Sequence, residues 1–371
     1  MEIAVMDALG EAFGLGEAFL HSSGRGGGLI HNTASDAILA IVAATRTSAQ
    51  LKVLSNPTCE HSNGATSRFV VYTSSQTNVS SEKACRVAGV RLRKIACSRD
   101  GTGNFPVNVA LMEKAIAEDR KRGLVPILCI ANYGTTNTCA IDPLEELGRL
   151  CQEENIVLHV DAAYSGVALL LESFKEDAAV IRANVDSINI SGHKWLGTGL
   201  SAGFLWVRDR CHLAARFEDP NLPRDHPKKR DTEPSSNPSS RSPPAYRKFK
   251  ALRIWAVLQY WGTEQLRRNI AHDIECAARF RTNLEKDEEL KGIVVFPVAS
   301  PFGLVCFTAV PHWHNSAILR EAERSGFMIC PSMLADGTPL IRVAFGSPMT
   351  RFAHVDELCL CIRNALLRQP K

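Results

Sequence analysis

Two ionisable residues stand where the sequence pattern ends two buried strands. Asp161 closes the apolar run "NIVLHVD" and is followed by small residues, "AAYSG"; Lys194, 33 positions later, follows "VDSINISGH". An unpaired ion at the edge of a core is costly, whereas a lysine whose charge is tuned by burial is a route to imine chemistry. One ligand can make both charges tolerable if it offers a cationic ring nitrogen to the acid and an aldehyde to the amine. A phosphate on the same ligand would need free backbone N–H groups at a helix start.

The stretch "GRGGGLIHNTASDAIL" offers such a start. It is glycine-rich and opens a helix whose first turn holds Thr33, Ala34 and Ser35, although "TASD" is also an ordinary helix cap. Aldehyde, pyridine and phosphate together are pyridoxal 5'-phosphate, the cofactor these residues call for. Asp161 is the candidate partner of the ring nitrogen and Lys194 of the aldehyde. Ala163, with Ala162, lets a flat ring lie against the strand end, and His193 is placed to meet the phosphate or the substrate. The loop "NYGTTNT" exposes Gly134, Thr135 and Thr136 at the same sheet edge; Thr135 ranks first as a polar contact, though a self-satisfied threonine turn fits the same residues.

The elements that must hold these residues alternate from about residue 26 to 210. "DAILAIVAATR", "SEKACRVAG" and "DPLEELGRLCQEE" read as helices; "RFVVYTS", "VPILCIAN", "NIVLHVD", "DSINIS" and "AGFLWVR" read as strands. This is an α/β pattern with a mostly parallel sheet, which binds ligands beyond the carboxyl ends of its strands. The first segment, with Ile3, Met6, Leu9, Phe13 and Leu15 near helical spacing, reads as a helix that starts abruptly. Residues 1–218 are assigned to a large cofactor-binding domain. Residues 219–250, rich in Pro, Ser and charge, read as a mobile loop or insertion, and 251–371 as a long connecting helix and a smaller α+β domain.

Composition bounds the rest. With 371 residues, 45% of them hydrophobic, and a net charge of +4, the chain can bury a sizeable core and gives little electrostatic reason to expect nucleic acid or an anionic membrane. The amino end carries acids where a secretory signal would be basic, and no apolar stretch has the length of a membrane span. Twelve cysteines lie singly in apolar stretches such as "PILCIAN" and "GLVCFTA", which suits thiols in a reducing cytoplasm. The "HWH" at 312–314 lacks a completing ligand and reads as a surface loop, so no metal is expected.

The segments "GGGLIHNTASDAILAIVAATR", "ANYGTTNTCAIDPLEELGRLC", "IVLHVDAAYSGVALLLESF", "VDSINISGHKWLGTGLSAGFLWVRD" and "FKALRIWAVLQYWGTEQLRRNI" together resemble the group II pyridoxal-phosphate-dependent amino-acid decarboxylases. The aromatic-L-amino-acid branch (tryptophan, tyrosine, dopa) is the most similar, over nearly the whole chain apart from 219–245. The resemblance implies the aspartate-aminotransferase-like fold (fold type I) and a homodimer with its site at the subunit interface. It implies that Lys194 bonds the cofactor, Asp161 pairs with the pyridinium, Ala163 packs near the ring, and Thr33, Ala34, Ser35 and His193 surround the phosphate or cofactor.

Four departures from the family pattern shape the functional expectation. The family places a longer helical segment ahead of this chain's first residue, so a fragment, a mispredicted gene product or a much reduced dimer is expected. Asn78, in "YTSSQTNVSSEKA", stands where the family has a ring-stacking histidine, and residues 62–158 contain no histidine at all; an amide cannot serve as a general acid. The stretch "RFEDPNLPRDHPKKR" lacks the family's loop tyrosine, the nearest being Tyr246, and Ser191 stands where asparagine is common. Decarboxylation of an aromatic L-amino acid to its amine is therefore the leading expectation. The alternatives are an aldehyde synthase that deaminates oxidatively and a catalytically impaired homologue acting as a dimer partner.

Overall fold

The computed structural model describes residues 1–54, 65–211, 213 and 248–367. Seven strands form one sheet: β1 (Gly27–His31), β2 (Phe69–Ser74), β3 (Arg91–Ile95), β4 (Val125–Asn132), β5 (Val157–Asp161), β6 (Ser187–Ser191) and β7 (Gly203–Val207), in the spatial order β1-β7-β6-β5-β4-β2-β3. Strands β3, β2, β4, β5 and β6 run parallel, and β7 is antiparallel to both its neighbours. The sheet is covered on both faces, as its near-continuous apolar strands require. Val70 and Tyr72 of β2 and Cys129 and Ala131 of β4 enter one core, with Met112, Leu147 and Ile181. Their neighbours Phe69, Val71, Leu128 and Ile130 enter the other, against Ile38, Ile41 and Cys85. The period of two along each strand thus sorts residues between the layers.

Helices α1 (Glu2–Ala12), α2 (Ala34–Leu54), α3 (Val79–Ala88), α4 (Val109–Lys121), α5 (Leu144–Glu153) and α6 (Lys175–Asn184) supply those layers. Four of the five apolar residues expected at helical spacing in the first segment are buried around helix α1, with Val5 in place of Ile3. Val5, Met6 and Leu9 are buried, followed by Phe13 and Leu15, whereas Ile3 is exposed. Within the glycine-rich stretch, Gly27–His31 forms strand β1, which is not among the expected strands. A Cβ on Gly28 would lie 2.6 Å from Met6 Cε and 2.8 Å from Trp206 Nε1, so this glycine serves the close packing of α1 and β7.

A second, antiparallel sheet has the order β10-β11-β9-β8, formed by β8 (Val294–Val295), β9 (Leu304–Ala309), β10 (Cys330–Met333) and β11 (Pro339–Ala344). The short helix α7 (Gly192–Trp195) follows β6; the long α8 (Lys250–Lys286), α9 (His314–Arg324) and α10 (Phe352–Leu367) complete the described helices. Phe280, Phe307, Ile341, Val343, Leu358 and Ile362 share the core of this part. The helix expected from residue 251 is interrupted: Gly262, at φ 66° and ψ 164°, kinks α8. Most of the expected mobile segment, together with Tyr246, lies outside the described residues. Among the described residues no helix is long and apolar enough to cross a membrane, and no group of three or more His, Cys, Asp or Glu is placed to hold a metal.

Candidate active site

Strands β4, β5 and β6 end side by side, with Asn132 opposite Asp161 and Asp161 opposite Asn189. Beyond these ends lies a cavity of about 190 Å³. Its wall contains Thr33, Ala34, Ser35, Asn78, Thr135, Asp161, Ala163, Ser191, His193 and Lys194, so all ten residues singled out in the sequence meet at one place. Gly134 and Thr136 of the expected threonine loop also line the cavity, and Asn132, Ser80 and Tyr164, which sequence reasoning did not single out as site residues, complete the wall.

Asp161 is buried at 7% exposure, and its Oδ1 accepts hydrogen bonds from the Ala163 amide at 3.0 Å and from Asn189 Nδ2 at 2.9 Å. Oδ2 takes no hydrogen bond among the described residues. Lys194 is open to the cavity, yet the protein packed around it desolvates its ammonium and lowers its pKa, with Asp161 opposing and Arg342 reinforcing the shift. His193 is also shifted down by desolvation, and its Nδ1 accepts from the Ala202 amide at 3.4 Å, which leaves Nε2 to carry the proton.

The start of α2 forms one end of the cavity. Thr33 caps it, with Oγ1 accepting from the Asp36 amide at 3.2 Å and the carbonyl from the Ala37 amide at 3.2 Å. The amides of Ala34 and Ser35 have no acceptor among the described residues, and they stand at the positive end of a 21-residue helix. Gly203 of β7 makes this possible, because a Cβ there would lie 2.7 Å from the Thr33 carbonyl carbon. Ser191 adds a buried hydroxyl with no partner among the described residues.

Two residues hold structural posts in the wall. Thr135 Oγ1 accepts from the Ala140 amide at 2.9 Å and lies 3.4 Å from Thr138 Oγ1, so its hydroxyl is used inside its own turn. Asn78 is the N-cap of α3: Oδ1 accepts from the Ser80 amide at 2.9 Å, while Nδ2 donates to Thr136 Oγ1 at 2.9 Å. Gly134, at φ 89°, has no room for a side chain, since a Cβ would fall 1.7 Å from Ser165 Oγ.

An open helix start, an orphaned buried hydroxyl, a carboxylate with a free oxygen and a desolvated lysine fit a phosphorylated pyridine aldehyde. They define a pyridoxal-phosphate enzyme on a type I fold, with its site at the carboxyl ends of parallel strands. Residues 1–310 match the pyridoxal-dependent decarboxylase conserved domain, and the chain belongs to that family. It is 30% identical to a phenylacetaldehyde synthase of Arabidopsis thaliana over 96% of this chain and 72% of that protein. It is 31% identical to tyrosine decarboxylase 2 of Narcissus pseudonarcissus, over 96% and 70%. The crystal structure of Oryza sativa TDC with PLP and tryptamine superposes with a TM-score of 0.88 at 27% identity, covering 99% of this chain and 75% of that one. The protein is a pyridoxal-phosphate-dependent carboxy-lyase of amino-acid metabolism.

Proposed function

We propose that the protein decarboxylates an aromatic L-amino acid at the cavity between Lys194 and the start of α2. The observation that carries this reading is the meeting of Lys194, Asp161 and the Ala34 and Ser35 amides of α2 around one cavity, in a chain whose relatives include tyrosine and tryptophan decarboxylases. Bound pyridoxal phosphate supplies a covalent anchor for the substrate amine and an electron sink for the bond to the departing carboxylate.

The chain's own residues make that chemistry possible. Desolvation raises the neutral fraction of Lys194, the form that condenses with an aldehyde. The amides of Ala34 and Ser35, the Ser191 hydroxyl and the α2 dipole would bind the phosphate, and the free Oδ2 of Asp161 would hold the ring-nitrogen proton. His193, through Nε2–H, would meet the phosphate or the substrate.

Oxidative deamination is kept as a second reading because a specific observation favours it. The Tyr164 hydroxyl donates to the Gly303 carbonyl at 2.9 Å, and Asn78 has no titratable proton, so neither is free to return a proton to the substrate α-carbon. The test is product analysis with tryptophan, tyrosine and dopa on protein loaded with pyridoxal phosphate. Decarboxylation gives amine and carbon dioxide. The second reading gives aldehyde, carbon dioxide, ammonia and hydrogen peroxide with oxygen consumed. No carbon dioxide from any of the three would overturn the proposal.

A further inference from the structure

Behind Asp161 lies a buried polar chain that the cavity does not require. His159 precedes Asp161 by two residues on β5, and Ser187 and Asn189 stand opposite them on β6, so all four project from the same face of the sheet. His159 and Asn189 are wholly buried and Ser187 nearly so. Their contacts are short: Ser187 Oγ to His159 Nδ1 2.9 Å, His159 Nε2 to Asn189 Oδ1 2.8 Å, and Asn189 Nδ2 to Asp161 Oδ1 2.9 Å.

Hydrogen-bond accounting fixes the direction of every link. An ionised carboxylate only accepts, so Asn189 must turn its NH₂ toward Asp161 and its oxygen toward His159. The Nε2 of His159 must then carry the proton. Burial lowers the His159 pKa to about 4, Asp161 opposing, so the ring is neutral at ordinary pH and its Nδ1 accepts from the Ser187 hydroxyl. The donors run Ser187 to His159 to Asn189 to Asp161, with each dipole reinforcing the next. With the Ala163 amide, this chain saturates Oδ1 and leaves Oδ2 as the free acceptor.

We infer that His159 and Asn189 are positioning residues for Asp161, which orient its carboxylate so that Oδ2 faces a pyridine nitrogen and can keep it protonated. The inference rests on the assignment of Asp161 to that nitrogen. A histidine that merely filled the core would need neither the Nε2–H tautomer nor the fixed amide; an aromatic ring of similar shape would serve.

The test uses the whole chain loaded with pyridoxal phosphate carrying ¹⁵N in its ring, and reads the ¹⁵N chemical shift at neutral pH with the cofactor dissociation constant. The unmodified protein is expected to show a protonated nitrogen. His159→Phe should move the signal toward the unprotonated position and weaken cofactor binding on the order of 10-fold. His159→Gln, whose amide can donate to Asn189 and accept from Ser187, should restore most of both. Ser187→Ala should move the signal in the same direction by less, which keeps the test open if His159→Phe does not fold. An unmoved signal in the folded variants, or no recovery with His159→Gln, overturns the inference. Asp161→Asn separates the two levels: if it too leaves the signal unmoved, the assignment of Asp161 itself fails, whereas a shift in Asp161→Asn alone refutes only the role of His159 and Asn189.

Discussion

The rings of Tyr164 and Trp195 stack with centroids 5.0 Å apart and planes 9° apart, and the Trp195 indole N–H donates to the Tyr164 carbonyl at 2.6 Å. Tyr164 lines the cavity, Trp195 follows Lys194 directly, and the Tyr164 hydroxyl donates to the Gly303 carbonyl beside β9. The pair therefore ties the turn that carries Lys194 to the second sheet. Arg342 of β11 adds a second tie, donating to the Thr136 carbonyl in the cavity wall.

Tyr164→Phe keeps the stack but leaves the Gly303 carbonyl without this donor. The carbonyl still accepts from the Phe345 amide at 2.7 Å, so a loss of about 0.5–1.5 kcal/mol in stability is expected, with faster cofactor release. Thermal denaturation with and without pyridoxal phosphate measures both. An unchanged melting temperature and cofactor off-rate would show that the tie carries no energy.

Asp161→Asn preserves shape and removes charge. The variant should still form a reducible adduct on Lys194, yet lose turnover by about 100-fold or more, because a preorganised charge is missing when the carboxylate leaves. Steady-state carbon dioxide release checks this, and equal rates would remove Asp161 from the chemistry.

Asn78→His installs a titratable group where the resemblance places one. The same change removes the N-cap of α3 and the bond to Thr136, so a cost of about 1 kcal/mol in stability is expected along with any gain in turnover. Chemical denaturation and amine assays on the same variant separate the two effects. A variant as stable as the parent would show that the histidine caps α3 equally well.

Asp273 of α8 is buried, and its Oδ1 has no hydrogen-bond partner among the described residues. Burial raises its pKa from 3.8 to about 7. Between those values the folded protein binds the proton more tightly than the unfolded chain, so this group lowers stability as pH rises from about 4 to about 7 and costs a constant amount above. Asp273→Asn should therefore stabilise the protein at pH 8 by a few kcal/mol, on the order of 1.4 per pKa unit, and much less at pH 4. Denaturation midpoints at both pH values decide it; an equal gain at both would contradict the proton linkage.

The legible parts of the sequence were those in which pattern and chemistry coincide. Strands β4 to β6 are buried along almost their whole length, and each leads to a polar residue at the cavity rim, so Asp161 and the segment carrying Lys194 could be placed before the fold was known. Strand β3, "RLRKI", was missed because an edge strand can be basic; its Arg93 is held by Glu118 and Asp119 at 2.7 Å each. The stretch "GRGGGLIH" hid strand β1 because glycines that admit Met6 and Trp206 carry little of the β-branched and aromatic pattern of a strand. The chain from Ser187 to Asp161 was hidden for another reason: it depends on the register of β5 against β6, which no single segment contains. A histidine and an asparagine inside apolar runs were its only trace.

The central claim is that Lys194 is the residue that bonds pyridoxal phosphate at the carboxyl edge of the sheet. Borohydride reduction of the loaded protein, followed by peptide mapping, tests it most directly. The account predicts a single cofactor-modified peptide containing "SGHKW", and none when Lys194→Ala is treated in the same way. A reduced adduct on another lysine, or one that survives in Lys194→Ala, would contradict it.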